Sequence, residues 1–447
     1  MNVINIKKGL DIRLVGTADK VLIQAPAAQS YALCPDNYLG LTPKMLVAAG
    51  APVKVGTPLF FDKAHPEVLF TSPVSGIVAE VVRGEKRKIL AIVVTPDGAM
   101  ESESFQCATM DKITEAQVRE LLLSSGMWPM IIQRPFGVIA DASATPRDIY
   151  ISGVDSAPLG VDCNFMLENE AENLNAGIAL LSKLTVGKVH LTIDATVSSG
   201  TLSQIQGACL HYVKGKHPKG NVGVQIAKTN PIGKGELVWT VNIQHVAMMG
   251  RLALTGKANF EKTVALAGAQ VEKPLYLKVI TGAAISSLIN GKLKPGAARL
   301  INGDPLSGKA VSADGYLGFY NNTLSAIAEG DYHEFAGWAM PRFGKFSLSR
   351  SYFSWLMPHK KYELDTNLNG GVRAFVMNGI YEKVQPIDIY SVYLMKAIMA
   401  GDIDKMEQLG IYEVIEEDVA LCEFICPSKI EWQAELRSGI NKMIKEL

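Results

Sequence analysis

Gly50-Ala-Pro-Val-Lys-Val-Gly-Thr-Pro-Leu59, followed by Ser72-Pro-Val-Ser-Gly-Ile-Val78, carries the first decisive pattern in this chain. Apolar and polar positions alternate through Ala51 to Leu59, as they do in a half-buried strand, and Gly and Pro punctuate the turns. Ser72 to Val82 reads as a turn and a β-branched strand, and Lys88-Ile-Leu-Ala-Ile-Val-Val94 as another. Many short strands at this spacing predict a small all-β sandwich or barrel.

Outward from this block the texture changes. A polar stretch near Asp97 to Gln106 reads as a linker. Beyond it, helical patterns (Ile113–Ser124, Glu168–Leu184, Leu202–Tyr212) alternate with strand patterns (Asp148–Gly153, Lys188–Ile193, Val222–Ile226), and Leu237–Leu254 follows. Such alternation predicts an α/β layer with a mainly parallel sheet. Lys273 to Gly330 has a compact α+β pattern: a strand at Leu275–Ile280, a short helix at Ala284–Leu288 and a strand near Ala298–Ile301. After Pro386 the chain reads as helical, at Ile387–Ala400, Asp404–Gln408 and Lys429–Leu447.

The bulk numbers bound the function. With 447 residues the chain needs more than one core. Its 44 basic and 44 acidic residues cancel, which disfavours nucleic acid as a partner. No segment reaches the roughly 18 unbroken apolar residues of a spanning helix, and the N-terminus lacks a signal-peptide pattern, so a soluble, cytoplasmic chain is expected. Six cysteines (34, 107, 163, 209, 422, 426) are too sparse for a disulfide framework.

Three motifs point further. The Gly50–Leu59 and Ser72–Val78 pair resembles biotinyl/lipoyl carrier domains, but His65 and Pro66 stand where a carrier presents its lysine, and Lys63 is out of register. Arg134-Pro-Phe-Gly-Val-Ile-Ala-Asp-Ala-Ser-Ala-Thr-Pro146 with Ile151–Pro158 resembles the flavin region of the flavin-carrying subunit of complex I and of the Rnf C subunit. A phosphate-cradling loop needs small residues for close backbone approach. Phe136, Val138, Ile139 and Asp141 occupy it instead, and Asp155-Ser-Ala-Pro158 lacks the paired glutamates. Cys422-Glu-Phe-Ile-Cys426-Pro427 fits the last half of a C-x2-C-x2-C-x3-C-P cluster motif, whose earlier positions hold Glu416 and Val419. It reads as a dismantled site, with Cys422 and Cys426 vestigial.

The order of these features, with Asp36–Lys44, Lys214–Gly220, Gly315–Tyr320 and Gly370–Phe375, resembles the A-subunit family of the bacterial sodium-translocating NADH:quinone reductases (Nqr) over essentially the whole chain. The resemblance implies a multidomain α/β and α+β fold. Its parts would be a barrel-sandwich hybrid domain (1–102), an α/β flavin-subunit-like domain without flavin (103–256), an SLBB-like β-grasp domain (257–335), and a linker with a helical remnant of an iron–sulfur domain (336–447). It also implies a peripheral subunit on the cytoplasmic side of the inner membrane, in a six-subunit complex with a membrane-embedded partner. No covalent cofactor, no FMN, no Fe–S cluster and no catalytic residue are expected in the chain itself.

A quinone, ubiquinone or menaquinone, needs an apolar cleft with aromatic walls. The candidates are Tyr31, Tyr38, Leu39, Trp128, Met130 and Phe136, which would alternatively only pack between domains. The competing functions are an Rnf-type subunit that carries FMN and Fe–S, and a docking scaffold without quinone. Gly303-Asp-Pro-Leu-Ser-Gly-Lys309 matches a P-loop except at Ala310, and reads as a β-grasp loop. His211 and His217 read as part of a solvated basic loop, and no metal ligands are expected.

Overall fold

The computed structural model describes residues 3–446 apart from 108, 110, 111, 198, 199, 336, 338, 339 and 341. The β-rich block forms two facing sheets. One has the order Tyr31–Leu33, Ile89–Pro96, Gly76–Arg83, Pro52–Val53, and the other Pro43–Met45, Pro58–Asp62, Leu69–Thr71. Phe60 and Phe70 stack at 4.6 Å in its core. The stretch Ala51–Leu59, expected as one strand, is instead split between the two sheets. Gly56 turns the chain between them at φ +92°. The hairpin after Asp62 carries the exposed His65 beside Glu67.

The α/β region is built on a seven-stranded sheet, in the order Val3–Ile6, Cys209–Gly215, Val189–Asp194, Ile149–Ser152, Val238–Val241, Ile131–Arg134, Val138–Ile139. The first five run parallel, and each of the last two pairs antiparallel with the strand before it. The first strand of the chain thus belongs to this sheet rather than to the β-rich block. Helices Ala171–Ser182 and Ile243–Thr255 cross in backbone contact. A Cβ on Gly250 would lie 1.7 Å from the Asn173 carbonyl oxygen, and one on Gly177 2.1 Å from that of Val246, so glycine sets the helix spacing.

Two elements differ from the sequence expectation. Val222–Thr229 is a helix, not a strand; five residues of mixed apolar pattern are compatible with either, and packing against the sheet decides. Leu202–Tyr212 is not helical. A short 3₁₀ turn, Thr201–Gln204, ends before Gly207 (φ +79°), and Cys209–Gly215 is a strand. His211 therefore lies in the sheet, and His217 is buried, with its ring Nδ1 3.0 Å from Ser156 Oγ. Neither is in a solvated loop.

A six-stranded sheet follows, ordered Lys309–Val311, Ala298–Asn302, Thr323–Ala328, Glu261–Ala267, Leu275–Ile280, Leu22–Gln24. Its central pair, Glu261–Ala267 and Thr323–Ala328, is parallel. Gly303–Gly308 is the loop of an antiparallel hairpin. The C-terminal helices are Ser391–Ala400, Ile403–Gln408, Glu416–Ile425 and Trp432–Glu446. The third was not anticipated: its Glu416, Glu417 and Asp418 sit in the first turn, where the helix dipole favours anions. Among the described residues, no helix is long and apolar enough to cross a membrane.

Candidate functional site

Two junctions meet at the α/β region. The first joins it to both β-containing regions and is aromatic. Tyr38 follows the short turn Pro35–Asn37, and its ring lies 4.6 Å from that of Phe70, 5.2 Å from Phe319 and 5.8 Å from Tyr320. Tyr320 Oη donates to the Pro129 carbonyl at 2.7 Å, which ties this group to Met130. His245, on helix Ile243–Thr255, packs at 5.4 Å from Phe319 and 5.9 Å from Tyr320. It is almost fully buried, and its Nδ1 has no hydrogen-bond partner. Burial pushes its pKa down to about 3, and Lys262 acts in the same direction.

Lys262 is itself buried. Its Nζ donates to the carbonyls of Gly318, Phe319 and Asn321 at 2.9–3.0 Å, one acceptor for each ammonium hydrogen. Desolvation pushes its pKa down to about 7. Gln244 bonds both the N–H and the carbonyl of Thr263 at 2.8 Å, fixing the helix against the sheet. The junction is therefore a preorganised aromatic wall with one buried nitrogen left free.

The second junction joins the α/β region to the C-terminal helices and is charged. Arg134, 1% exposed, donates to Asp418 at 2.7 Å and to Glu417 at 2.6 Å. Gly223 makes the approach possible, because a Cβ there would lie 2.4 Å from the Arg134 guanidinium. Arg437 pairs with Glu416 and donates to the Phe136 carbonyl at 2.8 Å. The Phe136 ring faces Tyr412 at 6.0 Å. Asp155 is closed in its own loop, accepting from Ala157 and Val161 at 3.0 Å, and burial raises its pKa to about 6.

Cys422 and Cys426 are buried one helical turn apart, with Cys426 Sγ 3.2 Å from Tyr381 Oη. Burial raises the pKa of the Cys422 thiol. Val419 packs in the same helical core, while Glu416 is taken by Arg437.

Three family models match the chain: NqrA N-terminal barrel-sandwich hybrid domain (residues 4–97), NqrA second alpha/beta domain (113–258) and NQRA C-terminal domain (263–313). The A subunit of the Na(+)-translocating NADH-quinone reductase of Yersinia pestis bv. Antiqua (strain Angola) is 38% identical, covering 99% of this chain and 100% of that protein. The same figures hold for its counterpart in Neisseria gonorrhoeae (strain NCCP11945). The chain belongs to the NqrA family. Among solved structures, an air-oxidized NAD+-reducing [NiFe]-hydrogenase aligns at TM-score 0.41 and 10% identity, over 76% of this chain and 62% of that one. A likeness of that size bears on neither fold nor function.

In this NqrA-family chain the six residues expected at a quinone site separate. Tyr38 and Met130 meet at the aromatic junction. Tyr31 is buried in its strand, with its hydroxyl accepting from Ala28 N at 3.3 Å. Leu39 turns outward at 37% exposed. Trp128 lies inside the α/β core, edge-on to Trp239 at 5.5 Å, and donates to the Ala140 carbonyl. Phe136 belongs to the charged junction. Sequence reading missed His245, Lys262, Phe319 and Tyr320. Gly315–Tyr320 carried a signal as a family motif, but a histidine within an apolar helix and a lysine within a strand gave none.

Proposed function

We propose that this chain is the peripheral, cytoplasmic-side A subunit of a six-subunit sodium-pumping NADH:quinone reductase, and that it supports quinone reduction and assembly. The observation that carries this reading is the end-to-end match to the A subunits of sodium-translocating reductases. In it, residues 1–102, 103–256, 257–335 and 336–447 are the barrel-sandwich, flavin-domain-like, SLBB-like β-grasp and helical domains, with Val3–Ile6 and Leu22–Gln24 lent as edge strands to the sheets of the second and third. The parallel central pair of the six-stranded sheet supports the third assignment.

The chain holds no covalent cofactor, FMN or cluster in this reading. The charged junction supports it, because Arg134, Phe136 and Glu416 are committed to protein contacts where cofactors would sit. A quinone headgroup, ubiquinone or menaquinone, engages the aromatic junction. Tyr38, Phe319 and Tyr320 supply ring faces, Met130 an apolar floor, and His245, in the tautomer with its proton on Nδ1, a donor to a quinone oxygen. Electrons arrive from a partner subunit, so the role of these residues is to hold and orient.

The test is complementation. A strain lacking this chain loses sodium-dependent NADH:quinone reductase activity, and supplying the tagged chain restores it and co-purifies a membrane-embedded partner. Full sodium-dependent activity in the deletion strain would overturn the reading.

A further inference from the structure

Outside both junctions, the parallel strands Val189–Asp194 and Cys209–Gly215 bring three metal-ligating side chains onto one face of the seven-stranded sheet. His190 pairs in register with Cys209, and His211 lies two residues further along the same strand. Residues i and i+2 of a strand share a face, and so does the in-register partner. One donor atom from each of His190, Cys209 and His211 lies within 4.8 Å of the others.

We propose that His190, Cys209 and His211 form a binding site for a borderline-soft divalent transition ion, zinc by its donor chemistry, with water in the fourth position. A thiolate and two imidazoles suit zinc and exclude calcium and magnesium, which take oxygen ligands.

The surroundings fit a built site. His190 Nε2 lies 3.3 Å from Asp148 Oδ1, which leaves Nδ1 facing the cluster. This is the carboxylate–histidine support that orients metal-bound imidazoles. Asp148 is itself held by Lys188 N at 3.0 Å and Arg147 Nε at 3.1 Å. Tyr150 stacks on the His190 ring at 4.6 Å and 10°, fixing its plane. Cys209 is half-buried, open enough for entry yet sheltered.

Without an ion, His190 Nδ1 and His211 Nε2 share a hydrogen bond of 2.8 Å. On binding, that separation widens to about 3.3 Å, the spacing of two nitrogens on a tetrahedral zinc with bonds of about 2.0 Å. The His211 proton moves to Nδ1, and the Cys209 thiol proton is released to solvent, one proton per ion. The cluster sits at the N-terminal ends of its strands, opposite the end where open α/β sheets place substrates.

The test uses the full chain, stripped with chelator and dialysed against zinc chloride, with a parallel sample given cobalt chloride. The site predicts one tightly held zinc per chain, one proton released, and a thiolate-to-cobalt charge-transfer band. Cys209→Ser removes the band, whereas Cys34→Ser and Cys107→Ser leave it. Asp148→Asn weakens zinc binding by about 10- to 100-fold with the fold intact by circular dichroism, which carries the test should Cys209→Ser fail to fold. No retained zinc, or binding and a band unchanged in either Cys209→Ser or Asp148→Asn, would overturn the proposal.

Discussion

The two junctions of the α/β region are closed by opposite means. Against the C-terminal helices, both terminal nitrogens of Arg134 are held by Glu417 and Asp418, with Arg134 Nε and Asp418 Oδ1 left over, and Arg437 is held by Glu416 and the Phe136 carbonyl. Against the two β-containing regions, rings close the gap, and His245 Nδ1 is left without a partner. In the charged seam each guanidinium is already committed to carboxylates, which leaves a ligand little charge to recruit. An apolar wall with an unsatisfied nitrogen carries a standing cost that a ligand can relieve. Stretches resembling flavin and cluster sites lie in the charged seam, and the aromatic junction is where we propose a ligand.

The largest expected effect breaks the charged seam. Asp418→Ala removes the fully buried one of the two carboxylates that hold the Arg134 guanidinium, leaving Glu417 alone, and should cost about 3 kcal/mol in urea unfolding. Replacing Arg134 and Asp418 together with apolar residues of similar volume should recover most of that loss. A loss below about 1 kcal/mol for Asp418→Ala would mean the seam is not held by charge.

A second prediction concerns acid. His217 is held neutral by burial, with its pKa down at about 4 against an ordinary 6.5. Between those values the unfolded chain binds the proton and the folded chain does not. The stability this group contributes is therefore complete above pH 6.5 and is lost as pH falls toward 4. His217→Gln should flatten the stability profile in that window by about 1.4 kcal/mol per pH unit. An unchanged slope would contradict the buried neutral state.

The third prediction is a null effect. Anaerobic incubation with iron, sulfide and FMN should leave the purified chain colourless, because Val419 and Glu416 are spent on packing and on Arg437. A broad iron–sulfur absorbance or a bound flavin band would turn the seam back into a cofactor site.

The sequence was most legible where a pattern is local. The short strands around Gly50–Val78 and the α/β alternation emerged from periodicity, and Glu416 and Val419 stood out against a cysteine spacing. Legibility failed where tertiary context decides. Val222–Thr229 carries too few residues to choose helix over strand, and Gly207 alone marked the end of the supposed helix at Leu202–Tyr212. Phe136 and Trp128 are eight positions apart, but their packing partners come from different regions, Tyr412 and Trp239. Linear spacing carries no trace of that separation. Nor does it show that residues 190 and 209 meet, since only strand pairing brings them together.

The most direct measurement is a titration of the full chain with a short-chain ubiquinone, wild type against His245→Leu. The substitution is close to volume-conserving but removes the hydrogen bonding of the ring to the Phe319 and Met130 backbone along with the unpartnered nitrogen, so it should cost about 1–3 kcal/mol and leave the chain folded. The account predicts saturable one-to-one binding in the wild type, weakened about tenfold or more in the variant, or about 1.4 kcal/mol. Equal affinity in two equally folded proteins would contradict it and leave the aromatic junction as packing alone.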